Sequence, residues 1–191
     1  MHSTKMRLLE AGLGMLLEHG YNDLGIQDLL DRTGVPKGSF YHHFQSKEGF
    51  ALEAVDLYMS RVHAQLDASF SAAERPPLLR VRDFFEHVRE AYASEGYRGC
   101  LLGALGQELS GVNDVFREKI EGCLATVVSR IAVMLNEARQ RGDLPWDTDP
   151  EAMANVLVDA WEGAALRSRL IGGPAPLNAI LDFYFRVVTV G

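Results

Sequence analysis

The chain has 191 residues, 47% of them hydrophobic, and a formal net charge of −7. That apolar content supports a sizeable core and excludes a disordered chain. The negative balance excludes adhesion to nucleic acid over the whole surface, though not through a local basic patch. No apolar run approaches the roughly 18 residues of a membrane span, and charge at Glu10 and Glu18 interrupts the N-terminal stretch, which does not read as a signal peptide. Two cysteines, Cys100 and Cys123, stand outside any C-x-x-C pattern. They exclude a disulfide framework and a cysteine metal site, and point to a reduced cytoplasm.

Strand signals are scarce and apolar residues recur at three- and four-residue spacing, so the sequence predicts an all-α fold of nine helices. Met6, Leu9, Leu13, Leu16 and Leu17 share one face of the first helix, which Gly20 closes. A second, short helix is predicted over 26–33, ended by Gly34, and a third over 37–43. Ser46 reads as the N-cap of a long fourth helix reaching about residue 72, with Glu48 in its first turn where a carboxylate suits the helix dipole. Pro76 and Pro77 close the break AAERPP and open a fifth helix, which stops near Gly96. A sixth is predicted over 99–110 and a seventh from 112 to 141, ended by Gly142 and Pro145. Asp149-Pro150 opens the eighth, Gly172 ends it, and the ninth covers 176–189. The predicted organisation is a three-helix unit at 1–46 and a helical bundle over 47–191.

The stretch GVPKGSFYHHFQSKEGF, residues 34–50, carries one acid, Glu48, inside an acidic protein. Two short helices joined by Gly34-Val35-Pro36 have the layout of a helix-turn-helix. Leu29, Leu30, Val35, Phe40 and Phe44 would form its core, Phe40 and Phe44 sharing a face four residues apart. Lys37, Gly38, Ser39, Tyr41 and His42 are then left toward solvent. Residues 32–47 hold Arg32, Lys37 and Lys47 and no carboxylate, which suits a duplex carrying one charge per about 1.7 Å of axis. Gly38 keeps the helix start slim, Lys37 and Ser39 can donate to base edges or phosphates, and Lys47 with the free N–H groups of the fourth helix can hold a phosphate. A solvated corner of a bundle is the plainer reading of two lysines on a short hairpin.

These residues resemble the helix-turn-helix signature of the TetR family of transcriptional repressors, over roughly residues 5–50. The resemblance implies nine helices, three for DNA and six for ligand binding and dimerisation. It puts Gln27, Lys37, Gly38 and Ser39 at base or nearby backbone contacts, and Tyr41, His42, His43 and Lys47 at phosphate and groove-edge contacts. His43 also suits packing within the unit. Leu24-Gly25 stands where many members carry a hydroxyl pair; Gly25 can still act as N-cap but offers no hydroxyl to a phosphate. With IQDLL and VPKGSFYHHF, this variation is similar to the branch of NemR-like and AcuR-like regulators, which respond to electrophiles or small unsaturated acids.

Behind the three-helix unit, apolar residues occupy more than one side of the last two helices. Met153, Leu157, Trp161 and Ala164 share a face of the eighth, with Val156 and Val158 elsewhere. Leu177, Ile180, Leu181, Tyr184, Val187 and Val188 form a stripe on the ninth, with Phe183 and Phe185 off it. Burial within the monomer explains such helices, as does a homodimer seam, which would pair two half-site readers on a palindromic operator. Cys100, near Arg98 at a helix start, would be a thiolate-prone sensor of oxidants or electrophiles, or a small buried hydrophobe. A pocket for a small-molecule inducer would draw on Phe84, Phe85, His87, Tyr92, Gln107, Trp161 and Arg167, each of which also suits a core or surface place.

No H-E-x-x-H, G-x-S-x-G, P-loop or G-x-G-x-x-G motif is present, so no catalytic residue, metal or cofactor is assigned. The leading expectation is a dimeric, ligand- or redox-responsive repressor on double-stranded DNA, with no membrane partner. The rivals are a helical adaptor that binds protein through the ninth helix, and a Cys-dependent hydrolase built on Cys100 and His87.

Overall fold

The computed structural model describes residues 3–189. Among them the chain forms nine helices and no strand: α1 (Thr4–His19), α2 (Ile26–Thr33), α3 (Lys37–His43), α4 (Lys47–Phe70), α5 (Pro77–Ser94), α6 (Leu101–Leu109), α7 (Asp114–Gln140), α8 (Pro150–Ile171) and α9 (Ala175–Thr189).

Local chemistry sets their ends. Ser3 caps α1 by accepting the Met6 N–H at 3.2 Å. Ser46 does the same for α4, accepting the Gly49 N–H at 3.0 Å. Asp149 accepts from Glu151 and Ala152 at the start of α8 at 3.0 and 3.1 Å, with Pro150 in the first helical position. Two starts lie later than the sequence predicts. Tyr97 and Gly99 take positive φ, 58° and 83°, so α6 begins at Leu101 and not at residue 99. Asn113 accepts the Phe116 N–H at 3.1 Å and caps α7, leaving Val112 outside the helix.

The chain divides into two compact units: Met1–Arg61 with Leu101–Ile120, and Val62–Cys100 with Glu121–Gly191. In the first, α1, α2 and α3 pack together with the starts of α4 and α7 and with α6. Phe40, Phe44 and Phe50 form a ring cluster with centroids 4.9–5.4 Å apart. A Cβ on Gly12 would stand 2.1 Å from the Phe50 ring, so only glycine lets α1 approach α4 this closely.

In the second unit α5, α8 and α9 pack around Val81, Phe85, Leu157, Trp161, Leu177 and Leu181. The Tyr184 hydroxyl donates to the Met153 carbonyl at 3.1 Å, tying α9 to α8. Arg80 is buried; its two terminal nitrogens donate to the Phe70 carbonyl at 3.0 Å and to the Glu137 carboxylate, while its Nε has no hydrogen-bond partner. On α9 the buried residues are Leu177, Leu181, Tyr184 and Phe185, while Val187 is exposed with Phe183. The helical period explains the departure from the predicted stripe. Ile180, Phe183 and Val187 lie three and four apart on a second face. On α8, Val156, Leu166 and Leu170 are exposed in the same way.

Candidate nucleic-acid interface

The helix-turn-helix is built from its turn outward. Gly34 ends α2 in the left-handed region at φ 65°, its N–H donating to the Leu30 carbonyl. Val35 is buried beneath the turn, and Pro36 sets the backbone that starts α3. Arg7 of α1 donates to the Thr33 carbonyl at 2.7 Å and holds the end of α2. Phe40 is fully buried and Phe44 nearly so. The rest of α3 therefore faces outward: Lys37, Gly38, Tyr41 and His42 are exposed, Ser39 and His43 half-buried. Tyr41 stands edge-on to Phe40, with centroids 5.2 Å apart, which fixes the ring that carries its outward hydroxyl. His42 and His43 have ring centroids 5.1 Å apart.

The charges are distributed less evenly than a count of residues 32–47 suggests. Arg32 turns back to Glu18, N to O 3.2 Å. Lys47 donates to the Asn22 carbonyl at 3.1 Å and lies 4.6 Å from the centre of the Tyr21 ring. Burial pulls the Lys47 pKa down, and Glu108 and Asp23 oppose that shift. Lys37 is exposed and outside every ion pair of the described residues. Gln27 is exposed on α2 and donates to Asp31 at 2.8 Å. Gln27, Asp31 and Lys37 border a groove of about 480 Å³ over the turn. The exposed face thus offers one lysine outside an ion pair, flanked by the Gln27 amide, the Ser39 and Tyr41 hydroxyls and the His42 ring, with the Asp31 carboxylate held by Gln27. Around Gly38 no atom lies within 4 Å of where a Cβ would stand.

In the second unit, Phe84, Phe85, Tyr92 and Trp161 come together. Centroids are 5.1 Å apart for Phe84 and Phe85, 4.8 Å for Phe85 and Trp161, and 6.2 Å for Tyr92 and Trp161. Next to Trp161 on α8, the Glu162 carboxyl is hydrogen-bonded to the Cys100 thiol, and burial pushes its pKa up to about 7. Gly99 packs this segment onto α8, where a Cβ would meet the Ala165 carbonyl oxygen at 3.3 Å. His87 and Arg167 are exposed on α5 and α8, and Gln107 is exposed on α6. A separate groove of about 680 Å³ runs along α7 and the start of α8, bordered by Val128, Val133, Asn136, Arg139 and Val158. Among the described residues no group of three or more His, Cys, Asp or Glu could hold a metal, and no helix is long and apolar enough to cross a membrane.

The chain matches the family model described as Bacterial regulatory proteins, tetR family, over residues 8–54. It matches the Tetracyclin repressor-like, C-terminal domain over residues 77–184. The chain belongs to the TetR family. It is therefore a DNA-binding transcriptional regulator of helix-turn-helix type. The transcriptional regulator AcuR of Cereibacter sphaeroides is 42% identical over 183 residues, 94% of this chain and 82% of AcuR. A crystal structure of a regulatory protein TetR from Rhodobacter sphaeroides matches with a TM-score of 0.90 at 39% identity, over 95% of this chain and 96% of the other. The reduced form of Escherichia coli NemR matches with a TM-score of 0.86 at 25% identity, over 99% of this chain and all of the other.

Residues that sequence reading passes over also shape this TetR-family molecule. Arg7 and Glu108 reach their backbone partners across 26 and 86–87 positions, and no local pattern signals such a pairing. Glu162 reads as an ordinary solvent-facing residue of α8 until the fold sets it against Cys100.

Proposed function

We propose that this regulator is a dimeric repressor that grips a palindromic operator with two copies of α3 and releases it when a small molecule or electrophile engages the second unit. The observation that carries the reading is the outward face of α3: Lys37 without an ion pair, Gly38 against open space, and Ser39 and Tyr41 as neutral donors. A helix of that kind fits a major groove, with Lys37 and Ser39 toward base edges and Tyr41 and His42 toward the phosphates. Gln27 reaches the same groove from α2. Lys47, held inward by Asn22 and Tyr21, serves mainly to brace the unit and presents its remaining donors at the phosphate edge. His43 packs against Phe44, centroids 6.2 Å apart, and reaches the groove only at its rim.

Dimerisation is supported by Val156, Leu166 and Leu170 on α8 and by Phe183 and Val187 on α9, all exposed although both helices bury an opposite face. Two such pairs complete a four-helix seam. Sensing is supported by the neighbouring ring cluster and thiol. Phe84, Tyr92 and Trp161 give an apolar wall, and Cys100 beside Glu162 gives a nucleophile with a proton acceptor. Duplex DNA as partner places the protein in the cytoplasm.

Footprinting on DNA flanking the chain's own gene tests the reading, with and without a thiol-reactive compound, on the native protein and on Cys100→Ser. A protected palindrome that the compound releases only in the native protein is the expected result. Release in both forms alike would remove Cys100 from the response.

A further inference from the structure

We propose that Glu108 is a positioning residue for DNA binding: its carboxylate clamps the turn before α2 and thereby sets the reading head formed by α2 and α3. The proposal rests on the DNA-binding reading above and adds to it a residue outside the helix-turn-helix.

The turn between α1 and α2 leaves backbone donors that no helix cap satisfies. Glu108, near the end of α6, accepts the Tyr21 N–H at 2.8 Å and the Asn22 N–H at 2.6 Å, one carboxylate oxygen for each. Such charge-assisted bonds are short and about twice as strong as neutral ones. Gly20 makes the approach possible. Its φ is 80°, and a Cβ there would come within 2.6 Å of a Glu108 carboxylate oxygen. From the other side Lys47 donates to the Asn22 carbonyl at 3.1 Å. The Tyr21 ring meets Phe116 edge-on, with centroids 5.1 Å apart. The same short turn is thus fastened by α6, α4 and α7.

The start of α2 is held by the buried Leu24 side chain and by the turn that precedes it, where the Leu24 N–H donates to the Tyr21 carbonyl at 3.2 Å. Gly25 is its N-cap and supplies no side-chain hydrogen bond. The far end of α2 is held by Arg7 at the Thr33 carbonyl and by Arg32 at Glu18. The near end, which carries Gln27, depends on the turn that Glu108 holds. Because α3 follows α2 through a tight Gly34 turn, a tilt of α2 moves Lys37 and Ser39 with it.

The sign of the effect separates this role from electrostatics. Removing an acid from an acidic protein beside its DNA face should strengthen binding by charge alone. Loss of the clamp should weaken it. The test uses the full chain as Glu108→Ala and Glu108→Gln, with two readouts: hydrogen exchange at the Tyr21 and Asn22 amides, and affinity for the footprinted duplex against a scrambled one at fixed salt. Glu108→Ala is expected to speed exchange at both amides. It should cost about tenfold or more in specific affinity, the scale of one lost base contact, with scrambled-duplex affinity kept within about twofold. Glu108→Gln, which keeps one acceptor oxygen, should recover part of the loss.

Faster exchange with unchanged or improved specific affinity would overturn the proposal and leave the repressor reading intact. Unchanged exchange at both amides would show that no clamp exists. Equal losses on both duplexes with a lowered melting temperature would reduce Glu108 to a general stabiliser and also overturn it. A wild-type chain with no preference for any duplex would sink the repressor reading, and this proposal with it.

Discussion

Gly38 is a glycine that the folded chain does not need. Nothing of the protein approaches the place of its Cβ, and its φ is not positive. Alanine at a helical position is favoured over glycine by roughly 0.5–1 kcal/mol. Gly38→Ala should therefore leave the melting temperature unchanged or slightly raised, while a methyl at the groove floor lowers operator affinity about tenfold; thermal melting and a binding titration on one sample check both. The Glu162 carboxyl gives a second prediction with a definite sign. Its pKa stands at about 7 in the folded chain against 4.5 as the ordinary value, chiefly through burial. Between those values the folded state holds a proton that the unfolded chain has lost, so stability falls as pH rises through the window. On the order of 3 kcal/mol is lost once the group is ionised. Denaturant midpoints at pH 5 and pH 8 should differ in that direction, and Glu162→Gln should flatten this contribution. The carboxylate also bears on Cys100. Alkylation of Cys100, whose thiol meets that carboxylate, should quicken in Glu162→Gln if charge repulsion governs the reaction and slow if proton acceptance does. A mass-spectrometric time course with a thiol reagent separates the two.

At the scale of elements, the exposed stripes of α8 and α9 make the dimer testable. Phe183 is 58% exposed on α9, so Phe183→Glu removes little internal packing but puts a charge where a partner helix would lie. The variant should stay helical, sediment as a monomer at micromolar concentration, and lose most of its operator affinity because the two half-sites are no longer linked. An unchanged dimer would move the seam elsewhere. The elements themselves were legible in the sequence because their punctuation is local: Gly20, Gly34, Ser46, Asp149-Pro150 and Gly172 act within one turn of where they stand. The face of α9 was legible only in part. Val187 and Val188 look alike in sequence, and only the packing of Leu177 and Leu181 decides which turns inward. The exposed residues of α3 followed from its heptapeptide, whereas the engagement of Lys47 with Asn22 and of Glu108 with the preceding turn depended on contacts far apart in the chain. Residues 101–120 joining the compact unit of α1 to α3 had no sequence signal either.

At the scale of the whole molecule, the charge of −7 per chain, which the proposed dimer would double, works against non-specific adhesion to DNA and leaves binding to a local face such as that of α3. The ridge is narrow: Arg32 is paired with Glu18, Lys47 is turned to Asn22, and Lys37 stands free. Few phosphates are then neutralised, so specific binding by the proposed dimer would lean on base contacts and on the spacing of its two copies more than on counterion release. Each neutralised phosphate contributes about −0.9 to the slope of log affinity against log salt. A slope much shallower than the roughly −10 of a strongly cationic repressor is expected. Lys37→Ala, present twice in the dimer, should make it shallower still by about 2 if both lysines meet phosphates. If Lys37 reads a base edge instead, the slope should hold while discrimination against one base pair falls by about 1–3 kcal/mol. A titration of operator and single-substitution duplexes over a range of potassium chloride concentrations distinguishes the two outcomes. A slope and a base preference both unchanged by the substitution would take α3 out of the groove.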